Sequence, residues 1–207
     1  MSAGSRRRAR SAIRSAIRST LGAAACAAVA VLSPAPGHGQ AVPPVEGVAV
    51  EEAPVALNRV LVDAGRARRR FRGEVVGPGP VIVSFTYSSC GTVCPVSDVV
   101  MGAVEDALVR DGRRDIALAT LTLDPLTDTP ERLRAHAATL GAGSLRRFYT
   151  GAPADVYAVL DALGMRFGRL EDHAAFFVVF GAGGRAGRRL PAGSGPEALL
   201  QAAGAGR

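Results

Sequence analysis

The run Val81-Ile-Val-Ser-Phe-Thr-Tyr87 is separated by only two serines from Cys90-Gly-Thr-Val-Cys94-Pro95, and beyond Pro95 apolar residues recur at helical spacing. A short, nearly continuous apolar run reads as a strand buried on both faces. Val96, Val99, Val100, Ala103, Val104, Ala107 and Leu108 then define a helix that should stop near Asp111 and Gly112. Strand, cysteine loop and helix follow one another closely, so the cysteines are predicted to lie beyond the C-terminal end of a central strand. Open α/β sheets place their ligands there.

The rest of the chain supplies the other layers. Residues 59–63, Gly65 and residues 66–76 read as a hairpin, and residues 116–123 as a second central strand. Asp124-Pro-Leu-Thr-Asp128 is a turn, after which Thr129 caps a helix with Pro130 at its first position, where a missing N–H costs nothing. That helix runs to about residue 140 and leaves His136 exposed. Residues 147–150 make a short strand, 153–163 a helix closed by Gly164, 174–180 an apolar strand, 181–184 a glycine-rich turn and 196–203 a last short helix. The alternation predicts an α/β fold: a central mixed β-sheet with helices on both faces and an N-terminal β-hairpin.

Ahead of this domain stands a leader. Residues 1–20 carry six arginines, residues 21–32 are uncharged and apolar, and Pro34, Pro36 and Gly37 break the run before a small-residue stretch at Gly39-Gln40-Ala41. Basic, apolar, then small is the order of a secretory signal. Twelve apolar residues fall short of the ~20 a spanning helix needs, so residues 1–41 are expected to be a signal peptide, with an N-terminal membrane anchor as the alternative. The arginine- and serine-rich, acid-free start also describes a mitochondrial transit peptide, which gives the second choice of location, the mitochondrial inner membrane. Residues 42–56, with three prolines, read as a linker, and residues 57–207 as the folded domain. Cys26 belongs to the leader.

The formal charge of +7 does not mark a nucleic-acid binder. Without the six leader arginines, 19 basic residues face 18 acidic ones, and a near-neutral body lacks a phosphate-binding field. One basic cluster remains, Arg66, Arg68, Arg69, Arg70 and Arg72, read as a solvated hairpin or, more sharply, as a docking face for an acidic partner.

Cys90 and Cys94 carry the chemistry. Four residues apart at a helix start, both sulfurs can face one side, and the helix N-terminus favours thiolate over thiol. A disulfide that only staples the loop is the plain alternative, although closing so short a loop removes little chain entropy. His173, directly before an apolar strand and next to Asp172, is the third candidate, because a strand start at the same sheet edge can face the cysteine loop. Two thiolates and one imidazole are too few for a closed structural zinc site, but they suit Cu(I) and, with a fourth donor, Cu(II).

These residues resemble the Sco/SenC family of copper-assembly proteins. The matching pieces are Phe85-Thr-Tyr-Ser-Ser-Cys-Gly-Thr-Val-Cys-Pro95, Leu123-Asp-Pro-Leu-Thr-Asp-Thr-Pro130, Tyr149-Thr-Gly151 and Asp172-His173, in the family's order across about residues 57–200. The resemblance implies a thioredoxin-like three-layer sandwich, copper ligation by Cys90, Cys94 and His173, and a role in maturing the binuclear copper centre of cytochrome c oxidase. That role is copper delivery, or reduction of the centre's cysteines by a redox-active Cys90–Cys94 dithiol. The implied partners are the copper-bearing oxidase subunit or another copper chaperone, met by a monomer on the outer face of the inner membrane or in the bacterial periplasm. Asp124 and Asp128 also match the motif and, with Asp172, are candidates for supporting the ligands, against the simpler roles of turn formation and capping.

The main rival is an exported thiol–disulfide oxidoreductase of thioredoxin-like type. Three residues between the cysteines instead of two, and His173 where such proteins carry a cis-proline, favour metal. An electron-transfer copper centre would need a histidine four residues after Cys94, where Asp98 stands, and Met101 is better read as helix core. A peroxidase needs one activated cysteine, not a pair.

Overall fold

The computed structural model describes residues 48–49, 57–89, 94–165, 168–184 and 187–204. The chain divides into two compact units, Met1–Val42 and Pro43–Arg207, and every described residue belongs to the second. The expected leader, with Cys26, lies outside the described residues.

The elements, in chain order, are β1 (Val48–Ala49), β2 (Val60–Asp63), β3 (Arg68–Arg70), β4 (Val81–Thr86), α1 (Cys94–Arg110), β5 (Ala117–Thr122), α2 (Pro130–Thr139), β6 (Arg146–Gly151), α3 (Pro153–Ala162), β7 (Phe176–Phe180), β8 (Arg188–Pro191) and α4 (Pro196–Gly204). They make one sheet of eight strands in the order β1-β8-β7-β4-β5-β6-β2-β3. β4, β5 and β6 run parallel, and all other pairings are antiparallel.

Local chemistry sets the ends of these elements. Every residue of β4 is buried, as its uninterrupted apolar run demands. Gly112, at φ +65°, turns the chain out of α1 in a conformation that costs glycine little. Thr129 caps α2 by accepting the Arg132 N–H on its hydroxyl at 3.3 Å, with Pro130 behind it. Pro153 opens α3 in the same way.

The sheet separates two cores. On one face α1 and α4 cover Ile82, Leu118, Phe177 and Val179, and α2 packs beside them on β6. On the other face α3 covers Val83, Phe85, Leu121, Tyr149 and Val178. The arrangement is the predicted three-layer thioredoxin-like sandwich with a mixed sheet. Burying side chains as large as Phe177, fully enclosed, contributes about 1.5–3 kcal/mol each.

Four details differ from the sequence reading. β8 escaped it, because two arginines and a proline in four residues hide a strand that is shielded by β1 and β7 on either side. The expected linker contributes β1. The second hairpin arm ends at Arg70, and residues 71–75 form a tight turn with Gly73 at φ +101°. Finally, α1 is rotated relative to the apolar stripe: Val96 and Val99 are 54% and 73% exposed, while Ser97, Asp98, Met101, Val104, Glu105 and Leu108 are buried. The rotation follows from the surface below. The sheet presents the buried Arg146 to this side, and its guanidinium needs the Asp98 carboxylate, a partner that a valine cannot give.

Candidate metal centre

The C-terminal ends of β4 and β5, the start of α1 and the approach to β7 converge on one edge of the sheet. Cys94 is the first residue of α1, so the second cysteine stands at a helix N-terminus as the sequence predicted. Cys90 lies outside the described residues. The two serines before it are placed: the Ser88 N–H and hydroxyl both donate to the Asp128 carboxylate, the N–H at 3.1 and 3.3 Å.

Asp128 is 2% exposed and also accepts from the Thr122 hydroxyl at 2.6 Å. It therefore ties the loop that leads to Cys90 to the end of β5. Asp124 organises the turn between them. Its carboxylate accepts the Thr127 N–H at 3.2 Å, its carbonyl accepts the Asp128 N–H at 2.8 Å, and its own N–H donates to Thr122 Oγ1 at 2.9 Å.

His173 reaches the same edge through strand register. β7 runs antiparallel to β4 with Val83 opposite Val178. Continuing that pairing sets Phe85 beside Phe176, whose rings meet at 5.4 Å, and brings residue 173 level with residue 88. The imidazole is 9% exposed and meets the Tyr87 ring edge-on, with centroids 5.8 Å apart. Its Nδ1 lies 2.7 Å from the Leu170 carbonyl oxygen. A carbonyl only accepts, so Nδ1 carries a proton and donates it to Leu170. A ring oriented in this way by a backbone carbonyl is the usual form of a metal-ligating histidine. The short 3₁₀ turn Leu170–Asp172 that supplies the carbonyl leaves the Asp172 side chain exposed.

His136, expected on the surface, is instead half-buried. Its Nε2 is 3.2 Å from Thr86 Oγ1 and 3.9 Å from Asp98 Oδ2, and the ring stands edge-on to Phe148. The helix face turned to the sheet, which the alanine neighbours did not betray, explains the difference. Met101 is helix core, as expected. The arginine hairpin is in part paired: Arg66 with Glu131 at 2.5 Å, and Arg69 with Asp63 and Glu74, each at 3.6 Å.

The sequence reading missed a buried ion pair under α1. The Arg146 guanidinium, 5% exposed, pairs with the Asp98 carboxylate and donates from Nε to Thr120 Oγ1 at 2.8 Å. Burial pulls its pKa below the ordinary value, opposed by the charge and hydrogen bond of Asp98 and the charge of Glu105. Two acidic residues seven apart in a helix were the only local signal.

The donor set fits a soft metal ion. The expected donors are two cysteines, of which Cys94 starts α1, and the His173 imidazole, whose Nδ1 is held by Leu170. Residues outside the described set enter that fit only through the sequence.

Residues 65–204 match the sequence profile of the family described as SCO1/SenC. No curated protein matches the chain. Among solved structures, the fold is similar to Bradyrhizobium japonicum ScoI with copper bound, at 19% identity and a TM-score of 0.58, covering 75% of this chain and 96% of that one. It is similar to a SCO1/SenC family lipoprotein from Bacillus anthracis str. Ames, at 16% identity and a TM-score of 0.62, covering 72% and 96%. It is also similar to BsSco, a member of the Sco family of cytochrome c oxidase assembly proteins, at 15% identity and a TM-score of 0.63, covering 78% and 95%. With two thirds of its length matched, the chain belongs to the SCO1/SenC family.

Proposed function

We propose that this protein is an exported copper-carrying assembly factor, which binds copper through Cys90, Cys94 and His173 and serves the binuclear copper centre of cytochrome c oxidase. The observation that carries the reading is His173: buried, fixed by Leu170 through Nδ1, and set by the β4–β7 register at the edge where α1 begins with Cys94. An imidazole whose Nδ1 is oriented by a backbone carbonyl at that edge has the arrangement common to metal-ligating histidines. Copper supplies the chemistry of a soft, exchangeable cargo. The protein supplies thiolates stabilised at a helix start, an oriented imidazole and a loop braced by Asp128.

Without metal, the same cysteine pair can act as a reductant. Two thiols give up two electrons and two protons to a partner disulfide, leaving a Cys90–Cys94 disulfide and two partner thiols. The leader and the lipoprotein relative support a place outside the cytoplasm, in the periplasm or on the outer face of the inner membrane. No helix among the described residues is long and apolar enough to cross a membrane.

Anaerobic Cu(I) titration of the reduced protein tests the reading. One tight equivalent is expected, lost in Cys90→Ser and in Cys94→Ser and weakened in His173→Ala, most for Cu(II). Equal affinity in wild type and His173→Ala removes His173 from the site. Catalytic reduction of generic disulfides, with no copper bound, assigns the protein to the oxidoreductases instead.

A further inference from the structure

The buried polar seam beneath α1 is out of proportion to what holding a helix on a sheet requires. Asp98 and Glu105 lie seven residues apart, two turns along one stripe of α1, and both are buried. Asp98 grips Arg146 at the start of β6, and the Arg146 Nη1 also reaches the Asp98 carbonyl at 3.5 Å. Glu105 accepts the N–H groups of Gly143, Leu145 and Arg146 at 2.8, 2.9 and 3.1 Å. Arg146 continues through Thr120 to Ser84, hydroxyl to hydroxyl at 2.8 Å, which links the seam to β5 and β4.

The buried ion pair and the three N–H donors impose a directional geometry on α1 in addition to the packing of Met101, Val104 and Leu108. α1 begins with Cys94, one turn before Asp98. We infer that the Asp98–Arg146 pair, with Glu105, sets the axial and rotational position of α1 on the sheet, making Asp98 a positioning residue for Cys94. The inference deepens the proposed copper site and rests on that reading for its metal arm. Its thiol arm stands without copper.

The test uses the full chain with Cys26→Ser, which leaves a single cysteine pair. Removing Asp98 alone strands a buried guanidinium, so the informative variant is Asp98→Leu/Arg146→Met, where apolar groups of similar volume replace both charges. Cooperative thermal melting shows that the variant is folded. Cu(I) affinity and the equilibrium of the Cys90–Cys94 disulfide with glutathione then report the placement of Cys94.

The folded variant is expected to bind Cu(I) at least tenfold more weakly and to shift the glutathione equilibrium at least fivefold. If both stay within twofold of the parent, the seam only stabilises the fold and the inference is overturned. A double variant that does not fold hands both measurements to Asp98→Asn, which keeps the shape and removes the charge, with the same expected and refuting results. A parent that binds no Cu(I) sinks the metal reading, and the glutathione arm still decides the positioning one.

Discussion

Replacing glycine by alanine at two places on the same seam should move stability in opposite directions. Gly102 lies inside α1, and an added Cβ would meet nothing within 4 Å. Alanine there removes the conformational cost of a helical glycine, about 0.5–1 kcal/mol. Gly143 faces Glu105: a Cβ would sit 2.7 Å from Oε1, 3.0 Å from Cδ and 3.4 Å from Oε2. That carboxylate cannot swing away freely, because three N–H donors hold it. Giving way costs roughly one hydrogen bond to a charged group, about 1.5–3 kcal/mol. The φ of Gly143 lies outside the left-handed region, so alanine also restricts the unfolded chain, a gain of about 0.4–1 kcal/mol. The net loss is about 0.5–2.5 kcal/mol, and at about 2–4 °C per kcal/mol for a domain of this size the Tm falls by about 1–10 °C. Gly102→Ala raises it by about 1–4 °C. Thermal and urea unfolding followed by circular dichroism measure both. The decisive step is a cycle with Glu105→Ala: without the carboxylate, the penalty of Gly143→Ala should disappear. A penalty of the same size in the Glu105→Ala background refutes the reasoning, because the clash would then lie elsewhere.

Other outcomes follow from the same structure. Asp128→Asn keeps the shape but turns an acceptor of the Ser88 and Thr122 donors into a partial donor, and should cost about 1–3 kcal/mol in urea unfolding; no loss would detach Asp128 from the loop. Met101→Ala should cost about 2–5 kcal/mol, while Val99→Ser stays within about 0.5 kcal/mol, and equal losses would contradict the rotated face of α1. Burial raises the Tyr149 phenol above its ordinary 10.0, with opposing help from Arg147 and reinforcement from Asp63. In the unfolded chain this phenol ionises first, so its contribution is complete below about pH 10 and is lost as pH rises toward the folded value. Absorbance at 295 nm should show a late-titrating phenol in the folded protein that Tyr149→Phe removes. The variant's stability should also fall less steeply in alkali than the parent's.

The strands and helices that carry a clear period were readable in the chain: β4, the Thr129–Pro130 cap, α3 and β7. The candidate ligands rest on local patterns, Cys-x3-Cys and a histidine before an apolar strand, and of these the structure describes the start of α1 at Cys94 and the buried His173. β8 was not, since a strand shielded by neighbours on both edges can carry arginines that no alternation rule anticipates. The face of α1 was misjudged because apolar residues were assumed to point inward. Here Asp98 goes in to meet the Arg146 guanidinium and Glu105 to accept the N–H groups of Gly143, Leu145 and Arg146, while Val96 and Val99 stay out. The partner of Asp98 stands on β6, after two further elements, and no local spacing announces it. His136 was misplaced for the same reason.

The pairing of Val83 with Val178 has a further meaning for timing. His173 and the start of α1 come from opposite halves of the polypeptide, and they share one sheet edge only when the late strand β7 closes against β4, after β5 and β6 have been synthesised. Long-range closure of this kind is a slow, late event in folding. Under the proposed function, an extended chain would carry the cysteines and His173 apart, and loading with metal would follow closure of the sheet.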